Sequence, residues 1–162
     1  MRRILLILML AVVGLGANAA NSLSPIMLLP PFERACLIIK HYETLHRPQH
    51  WPYIGYGHQV QPGEPYRKGI QLTERQADAL LRKDLRKFCA MFREYGADSL
   101  LLACVSYNCG PAKVVNSNLI KKIQSGRRDI LTDYLSFCRY NGKPHPGIRR
   151  RRYVEYQLLN EN

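Results

Sequence analysis

One six-residue segment limits the folds open to this chain. Residues 53–58 read Tyr-Ile-Gly-Tyr-Gly-His, in which glycine alternates with bulky side chains. This pattern predicts a short hairpin or tight β-turn, and Pro62-Gly63 and Pro65 predict a loop after it. Elsewhere the apolar residues follow helical spacing, and 162 residues suffice for one hydrophobic core. We therefore expect an α+β fold, mainly helical, with one small β-hairpin region near the N-terminal end.

Caps and helix-breaking residues place the helices. Pro30-Pro31 begins the first helix, because proline suits a helix start, and this helix ends before Pro48. Thr73 and Gln76 form a capping box that begins the second helix. The remaining segments are predicted from apolar spacing and caps: helices at 100–107, 117–125, 128–137 and 148–159, and a Pro/Gly loop at 140–147.

The first twenty residues have the pattern of an export signal. Arg2 and Arg3 precede an apolar run at 4–15, and Ala17-Asn18-Ala19 fits a signal-peptidase site. A retained anchor is the alternative, but the run is shorter than the ~20 residues that a membrane-spanning helix needs. We predict a signal peptide at 1–19, a tail at 20–31 and a single domain at 32–162. We therefore expect an exported protein, located in the periplasm or secreted. We expect it to be a monomer with no stable membrane span after cleavage of the signal peptide.

The charge of the chain predicts an anionic partner. The formal net charge is +12, from 24 basic and 12 acidic residues, and signal cleavage would remove two arginines and no acid. Outside the cytoplasm, anionic cell wall is the better candidate, and no zinc-finger or RNA-binding motif indicates nucleic acid. We also expect no cofactor and no metal, since no ligand spacing for either is present. Five cysteines without a C-x-x-C pair allow at most two disulfides, or none if they are buried thiols.

Glu43 is the candidate catalytic acid. It lies near the end of an apolar helix and is followed by the glycine-rich segment. An apolar wall raises the pKa of a carboxylic acid, which a general acid requires, although most helical glutamates are simply exposed. Trp51 lies in the connecting loop, where its ring could stack on a sugar or anchor the loop.

The order of several motifs resembles the phage-type lysozymes, family 24 of the glycoside hydrolases. The matching segments run in family order from residue 32 to 159: Glu43, residues 53–58, residues 72–85, Ser106-Tyr107-Asn108-Cys109-Gly110, residues 118–126, and Gly147 to Arg152 with Glu155. The resemblance implies a lysozyme-like catalytic domain. Its implied reaction is cleavage of the peptidoglycan β-1,4 bond after N-acetylmuramic acid, with Glu43 as the general acid.

The resemblance also implies further site residues. It pairs His58 with Asp84, and we expect Trp51, Tyr56, His58 and Arg149 to contact the peptidoglycan. Among the four consecutive arginines at 149–152, it suggests that Arg149 or Arg152 reaches the groove near Glu43. The alternative for each arginine is a solvated basic surface.

The loop after Glu43 departs from the family pattern. It is about five residues shorter, and no carboxylate occurs between Glu43 and Glu64. Tyr53 stands where the family places a threonine, so we assign Tyr53 to the catalytic site. Three functions remain open at this point: a muramidase in which Tyr53, a histidine or a substrate group positions the water, a lytic transglycosylase with a single acid/base, and an inactive wall-binding module.

Overall fold

The computed structural model describes residues 25–160, which form a mainly helical α+β fold with two small antiparallel hairpins. The helices are α1 (Pro31–Glu43), α2 (Glu74–Met91), α3 (Ser99–Cys109), α4 (Pro111–Val115), α5 (Asn118–Gln124), α6 (Leu131–Leu135) and α7 (Pro146–Leu159). The strands are β1 (Tyr53–Ile54), β2 (His58–Gln59), β3 (Arg139–Tyr140) and β4 (Lys143–Pro144). Single 3-10 turns occur at Pro25–Leu28, Pro48–His50 and Arg93–Asp98.

Helix α3 is the central element of the core. Its residues 101–106 are all buried, as the apolar and uncharged sequence predicts. Helices α1, α2 and α7 pack around it, and the side chains that they bury follow helical spacing, such as Leu81 and Leu85 on α2. The residues of the candidate site are carried on this packed helical frame.

The helix caps agree with the sequence at two positions. Thr73 and Gln76 form the predicted capping box, in which the Gln76 amide N–H donates to the threonine hydroxyl over 3.3 Å. The Ser117 hydroxyl accepts from the Ile120 amide N–H in the same way. The last helix begins at Pro146, two residues before the predicted start, because His145 provides its cap.

The first hairpin coincides with the glycine-rich segment. Strands β1 and β2 pair with Ile54 opposite His58. The second hairpin, β3–β4, lies where the sequence predicted only a loop, and its turn is Asn141-Gly142, with both residues at positive φ. Asn-Gly is a strong hairpin signal. No apolar alternation flanks it, because all four strand residues are exposed.

The N-terminal part differs from the predicted tail. Within residues 25–31, a 3-10 turn buries Ile26 in the core, whereas α1 begins at Pro31, as the Pro30-Pro31 pair predicts. The predicted signal peptide at 1–19 lies outside the described residues. Within residues 25–160, no helix is both long and apolar enough to cross a membrane.

None of the five cysteines forms a disulfide in the structure. Cys36, Cys104 and Cys138 are buried, and Cys89 and Cys109 are partly buried. Burial raises the pKa of the Cys36 thiol to about 11 and that of Cys104 well above its usual value. These thiols pack as small apolar side chains.

Candidate active site

Glu43 is the last residue of α1, and a sharp turn follows it. Thr44 has φ 56°, a left-handed conformation that is strained for a β-branched residue. The chain then returns along the first hairpin, where the His46 amide donates to the Gly55 carbonyl over 2.8 Å. Gly57, at φ 103°, faces the acid, and a Cβ built on it would lie 3.6 Å from Glu43 Oε2. This distance is an ordinary van der Waals contact, so the positive φ rather than a lack of space is what favours glycine beside the carboxylate.

A closed ring of hydrogen bonds holds one oxygen of this carboxylate. Glu43 Oε1 accepts from Arg151 Nη1 over 2.5 Å and from Asn108 Nδ2 over 3.2 Å. Asn108 Oδ1 accepts from Arg152 Nη2 over 2.6 Å. Glu155 completes the ring, since it accepts from Arg152 Nη1 over 2.6 Å and from Arg151 Nε over 2.8 Å. We call these five residues the charge ring.

The charge ring balances two carboxylates with two guanidinium groups. Arg151, Arg152 and Glu155 are buried, whereas the Glu43 side chain is 20% exposed. The Tyr134 hydroxyl also donates to Glu155 Oε2, over 2.8 Å. Burial acts to lower the pKa of Arg151, but Glu155 and Glu43 hold it above the usual value. The ring therefore fixes Glu43 Oε1 with one permanently charged donor, Arg151, and one neutral amide donor, Asn108, and leaves Oε2 toward the Gly57 turn.

The arginine beside Glu43 is Arg151, which corrects the expectation of Arg149 or Arg152. Helical residues are rotated by about 100° from one another, so Arg149 points roughly opposite to Arg151. Arg149 is exposed, and Arg152 lies in the interior, where it binds Glu155 and Asn108. Spacing of three and four residues places both buried arginines on the same carboxylate, Glu155.

An open cleft of about 620 Å³ lies next to Glu43. The first hairpin lines one side, with Tyr53, Gly57 and His58, and α2 and the C-terminal part of α3 line the rest. Asn108 belongs both to the cleft lining and to the charge ring. Glu43 therefore adjoins the cleft through Gly57 and Asn108.

The aromatic residues predicted around the site are placed differently. Tyr53 lines the cleft and is 44% exposed. Trp51 is partly buried and packs against the core, as in the anchoring alternative. Tyr56 is buried and does not line the cleft, which contradicts its expected contact with substrate; burial raises the pKa of its hydroxyl. Successive side chains of this segment point to opposite sides, so that Tyr56 faces the core and Tyr53 faces solvent.

His58 lines the cleft but has both ring nitrogens engaged. Nδ1 lies 2.6 Å from Asp84 Oδ2, and Nε2 lies 2.8 Å from Glu64 Oε2. The hydrogen bond to Asp84 raises the pKa of His58 against the effect of burial, and Glu64 raises it further. Neither nitrogen is free to bind substrate. Glu64 was not predicted as a partner of His58, and its only signal in the sequence is its position as the first carboxylate after Glu43.

His46 lies in the loop after Glu43 and is one of the two histidines there, with His50, that could position the water. Its Nδ1 is buried and has no hydrogen-bond partner, and its ring lies 5.0 Å from His50 and 6.3 Å from Tyr53, between centroids. Burial lowers the pKa of His46, the neighbouring His50 lowers it further, and the charge of Glu43 opposes both. A neutral imidazole therefore lies behind Tyr53, on the same loop as Glu43.

The cleft holds no free carboxylate opposite Glu43. Among its lining residues only Asp84 is acidic, and it binds His58 and lies 3.7 Å from Lys87. Across residues 25–160, no cluster of three His, Cys, Asp or Glu side chains could hold a metal ion. Glu43 is therefore the carboxylate at this cleft that remains a candidate for acid–base chemistry.

Comparison with solved structures identifies the fold as lysozyme-like. An endolysin from Escherichia coli O157:H7 phage FAHEc1 matches with a TM-score of 0.65 and 22% identity, over 90% of this chain and 97% of that one. The muramidase domain of SpmX from Asticaccaulis excentricus matches with a TM-score of 0.61 and 23% identity, over 79% and 95%. No match was found among functionally curated proteins.

The family model for phage lysozyme matches residues 40–155. The chain therefore belongs to the phage lysozyme family. Membership supports a glycosidase-type peptidoglycan hydrolase. The matched range contains Glu43 and every other member of the charge ring.

Proposed function

We propose that the protein is a muramidase that cleaves the β-1,4 bond between N-acetylmuramic acid and N-acetylglucosamine, with Glu43 as the general acid. The observation that carries this proposal is the asymmetry of the Glu43 carboxylate. Oε1 accepts two hydrogen bonds, from Arg151 and Asn108, whereas Oε2 accepts none from the described residues and faces the turn at Gly57. The transferable proton then resides on Oε2, where it can reach a glycosidic oxygen.

With one carboxylic acid in the site, Glu43 serves both halves of the reaction. It donates its proton to the leaving oxygen as the glycosidic bond breaks, and the resulting carboxylate accepts a proton from the attacking group. Tyr53, on the exposed side of the cleft, is proposed to orient the attacking water through its hydroxyl. Arg151 and Asn108 keep the carboxylate in place throughout.

A lytic transglycosylase is the second candidate. The second carboxylate of the cleft, Asp84, is bound to His58, and this favours a transglycosylase, because the muramic 6-hydroxyl replaces water as the attacking group. The same Glu43 would protonate the leaving oxygen and accept the hydroxyl proton, which yields a 1,6-anhydro end. An inactive wall-binding module would use the same cleft without bond cleavage.

End-group analysis of digested peptidoglycan distinguishes these functions. Purified wall is incubated with the protein, and the released fragments are analysed by mass spectrometry. Reducing ends are the expected result. Anhydro ends would show the transglycosylase instead, and no release would show a binding module.

Glu43→Gln tests the catalytic acid. The amide keeps the shape of the side chain but cannot donate the proton, so we expect release to fall by at least about 100-fold. Glu74→Gln, at an exposed glutamate of α2, is the matched control. Both variants should keep the circular dichroism spectrum of the parent. Wall cleavage near the parental rate by Glu43→Gln would exclude Glu43 from this role.

The proposed location follows from the N-terminal sequence. We propose cleavage after Ala19, export to the periplasm or beyond, and a monomeric catalytic domain from residue 32 onward. Support comes from the apolar run at 4–15 and from the basic character of the chain. N-terminal sequencing of the exported protein tests the cleavage position.

A further inference from the structure

The hairpin β3–β4 and the start of α7 form an exposed basic surface. It consists of the side chains of Arg139, Tyr140, Lys143, Arg149 and Arg150, which we call the basic face. All five are exposed, and the Tyr140 ring is 64% exposed near the tip of the hairpin. Between Asp133 and Glu155 the sequence contains six Lys or Arg residues and no acid. Two of the six, Arg151 and Arg152, point inward to the charge ring, so four cations remain on the surface.

No carboxylate of the described residues pairs with these four cations. Arg139 donates only to the Gly142 carbonyl, over 2.8 Å within the hairpin, and the ion pairs of α7 belong to Arg151 and Arg152. Elsewhere some cations are paired, for example Arg82 with Glu33 and Arg128 with Asp98, whereas the four of the basic face occur within residues 139–150, a segment without any acid. The basic face therefore concentrates uncompensated positive charge.

Folding stability does not explain this concentration. Arg149 and Arg150 lie near the N-terminal end of α7, where the helix dipole disfavours cations. The hairpin buries none of its four strand residues, and a two-stranded hairpin without buried side chains contributes little to a core. The first feature costs stability and the second adds little to it, so a function in binding is the better physical explanation.

The basic face lies outside the cleft but near its acid. None of its five residues lines the cleft. Burial raises the pKa of Tyr42, the residue before Glu43, and the strongest opposing influence is the charge of Arg150. Arg150, a member of the basic face, therefore lies near the end of α1. It belongs to α7, the helix from which Arg151 binds Glu43.

We propose that the basic face is a second wall-binding surface, which binds the peptide carboxylates of peptidoglycan strands outside the cleft. This inference rests on the proposed function, which makes peptidoglycan the substrate. Charge complementarity selects this partner, because peptide stems carry carboxylates on every strand around the one being cut. A lipid surface fits less well, since interfacial binding needs buried apolar area and the face offers no aliphatic side chain. The surface would hold the enzyme on the wall between successive cuts.

Binding to intact wall tests the proposal with a charge-matched pair of variants. Lys143→Gln with Arg150→Gln removes two charges from the basic face, and Lys68→Gln with Arg75→Gln removes two exposed, unpaired charges elsewhere. Every protein carries Glu43→Gln to prevent cleavage, and sedimentation with purified wall measures the dissociation constant. We expect the first pair to weaken binding about three- to tenfold and the second by less than about twofold, with the difference lost at high salt.

Two further ligands identify the partner. On glycan strands freed of their peptides by an amidase, the two double variants should bind equally. Vesicles of anionic phospholipid should also bind both equally. Equal binding of the two variants to intact wall would overturn the proposal, and so would a difference that persists on peptide-free glycan or that occurs only on vesicles. Cleavage of short soluble glycan fragments by the parent protein tests the proposed function separately from these binding results.

Discussion

At the scale of single residues, the site is defined by which atoms already have partners. Hydrogen bonds already engage Glu43 Oε1, both ring nitrogens of His58 and the side-chain amide of Asn108. The Tyr53 side chain, by contrast, is exposed in the cleft.

Tyr53→Phe removes only the hydroxyl. If that hydroxyl orients water, we expect kcat for the release of reducing ends to fall roughly tenfold, with little change in KM.

Tyr153→Phe is the control for this prediction, because it removes the hydroxyl of an exposed tyrosine that belongs neither to the cleft nor to the basic face. Its kcat should stay within about twofold of the parent. A Tyr53→Phe variant with the parental kcat would contradict the positioning role. A rise in KM at unchanged kcat would instead indicate that Tyr53 contacts the sugar in both ground and transition states.

At the scale of elements, local signals in the sequence located most helices. The capping box at Thr73 and the uncharged segment of α3 are local features, and the glycine-rich segment became the first hairpin. The second hairpin was not predicted because its strand residues are all exposed and none packs into the core. Its sequence therefore lacks the alternation of apolar and polar residues that indicates a strand. Arg151 at Glu43 was missed for a different reason: the contact spans 108 residues, and only helix packing decides which arginine faces inward.

The first hairpin is tied to α2 and to the following loop through His58, which predicts a pH dependence. The hydrogen bond to Asp84 raises the pKa of His58 above 6.5 against the opposing effect of burial, and Glu64 raises it further. The contribution of His58 is therefore present below pH 6.5 and is lost as pH rises through the folded value. The Gln61 amide and then His58 lower the pKa of Glu64 below 4.5, so its contribution is present above pH 4.5 and is lost as pH falls through the folded value.

The interaction therefore stabilises the fold most between about pH 4.5 and 6.5. We expect the loss of unfolding free energy in His58→Gln to be largest in this window and to become smaller at higher pH. Urea denaturation at several pH values measures it, with His50→Gln, at an exposed histidine, as the control. A loss that is constant with pH, or an NMR titration of His58 at or below 6.5, would contradict this assignment.

At the scale of the whole molecule, the two ends of the described chain hold each other in place. Arg34, near the start of α1, donates to the Leu158 carbonyl near the end of α7 over 2.6 Å. Glu43, at the end of α1, binds Arg151 near the start of α7. The two helices therefore run antiparallel, and the catalytic acid depends on residues at the opposite end of the sequence. Folding of the last helix is then a condition for an ordered Glu43.

The contribution of the charge ring to stability can be measured as a change in the free energy of unfolding. Glu155→Gln removes one carboxylate and leaves Arg151 and Arg152 in the interior with only Glu43 to balance them. Breaking a buried ion pair from one side is strongly destabilising, so we expect the free energy of unfolding to fall by about 3–5 kcal/mol. Glu74→Gln on the surface should change it by less than about 0.5 kcal/mol.

Replacing both members of one buried pair separates charge balance from packing. Arg152→Met combined with Glu155→Gln removes one charge of each sign, and Arg151 and Glu43 remain as a balanced pair. We therefore expect the double variant to lose less unfolding free energy than the sum of the two single variants, with a coupling of about 1–3 kcal/mol in urea denaturation. Additive losses, or a Glu155→Gln protein as stable as the Glu74→Gln control, would show that the balance of charge within the ring does not stabilise the fold.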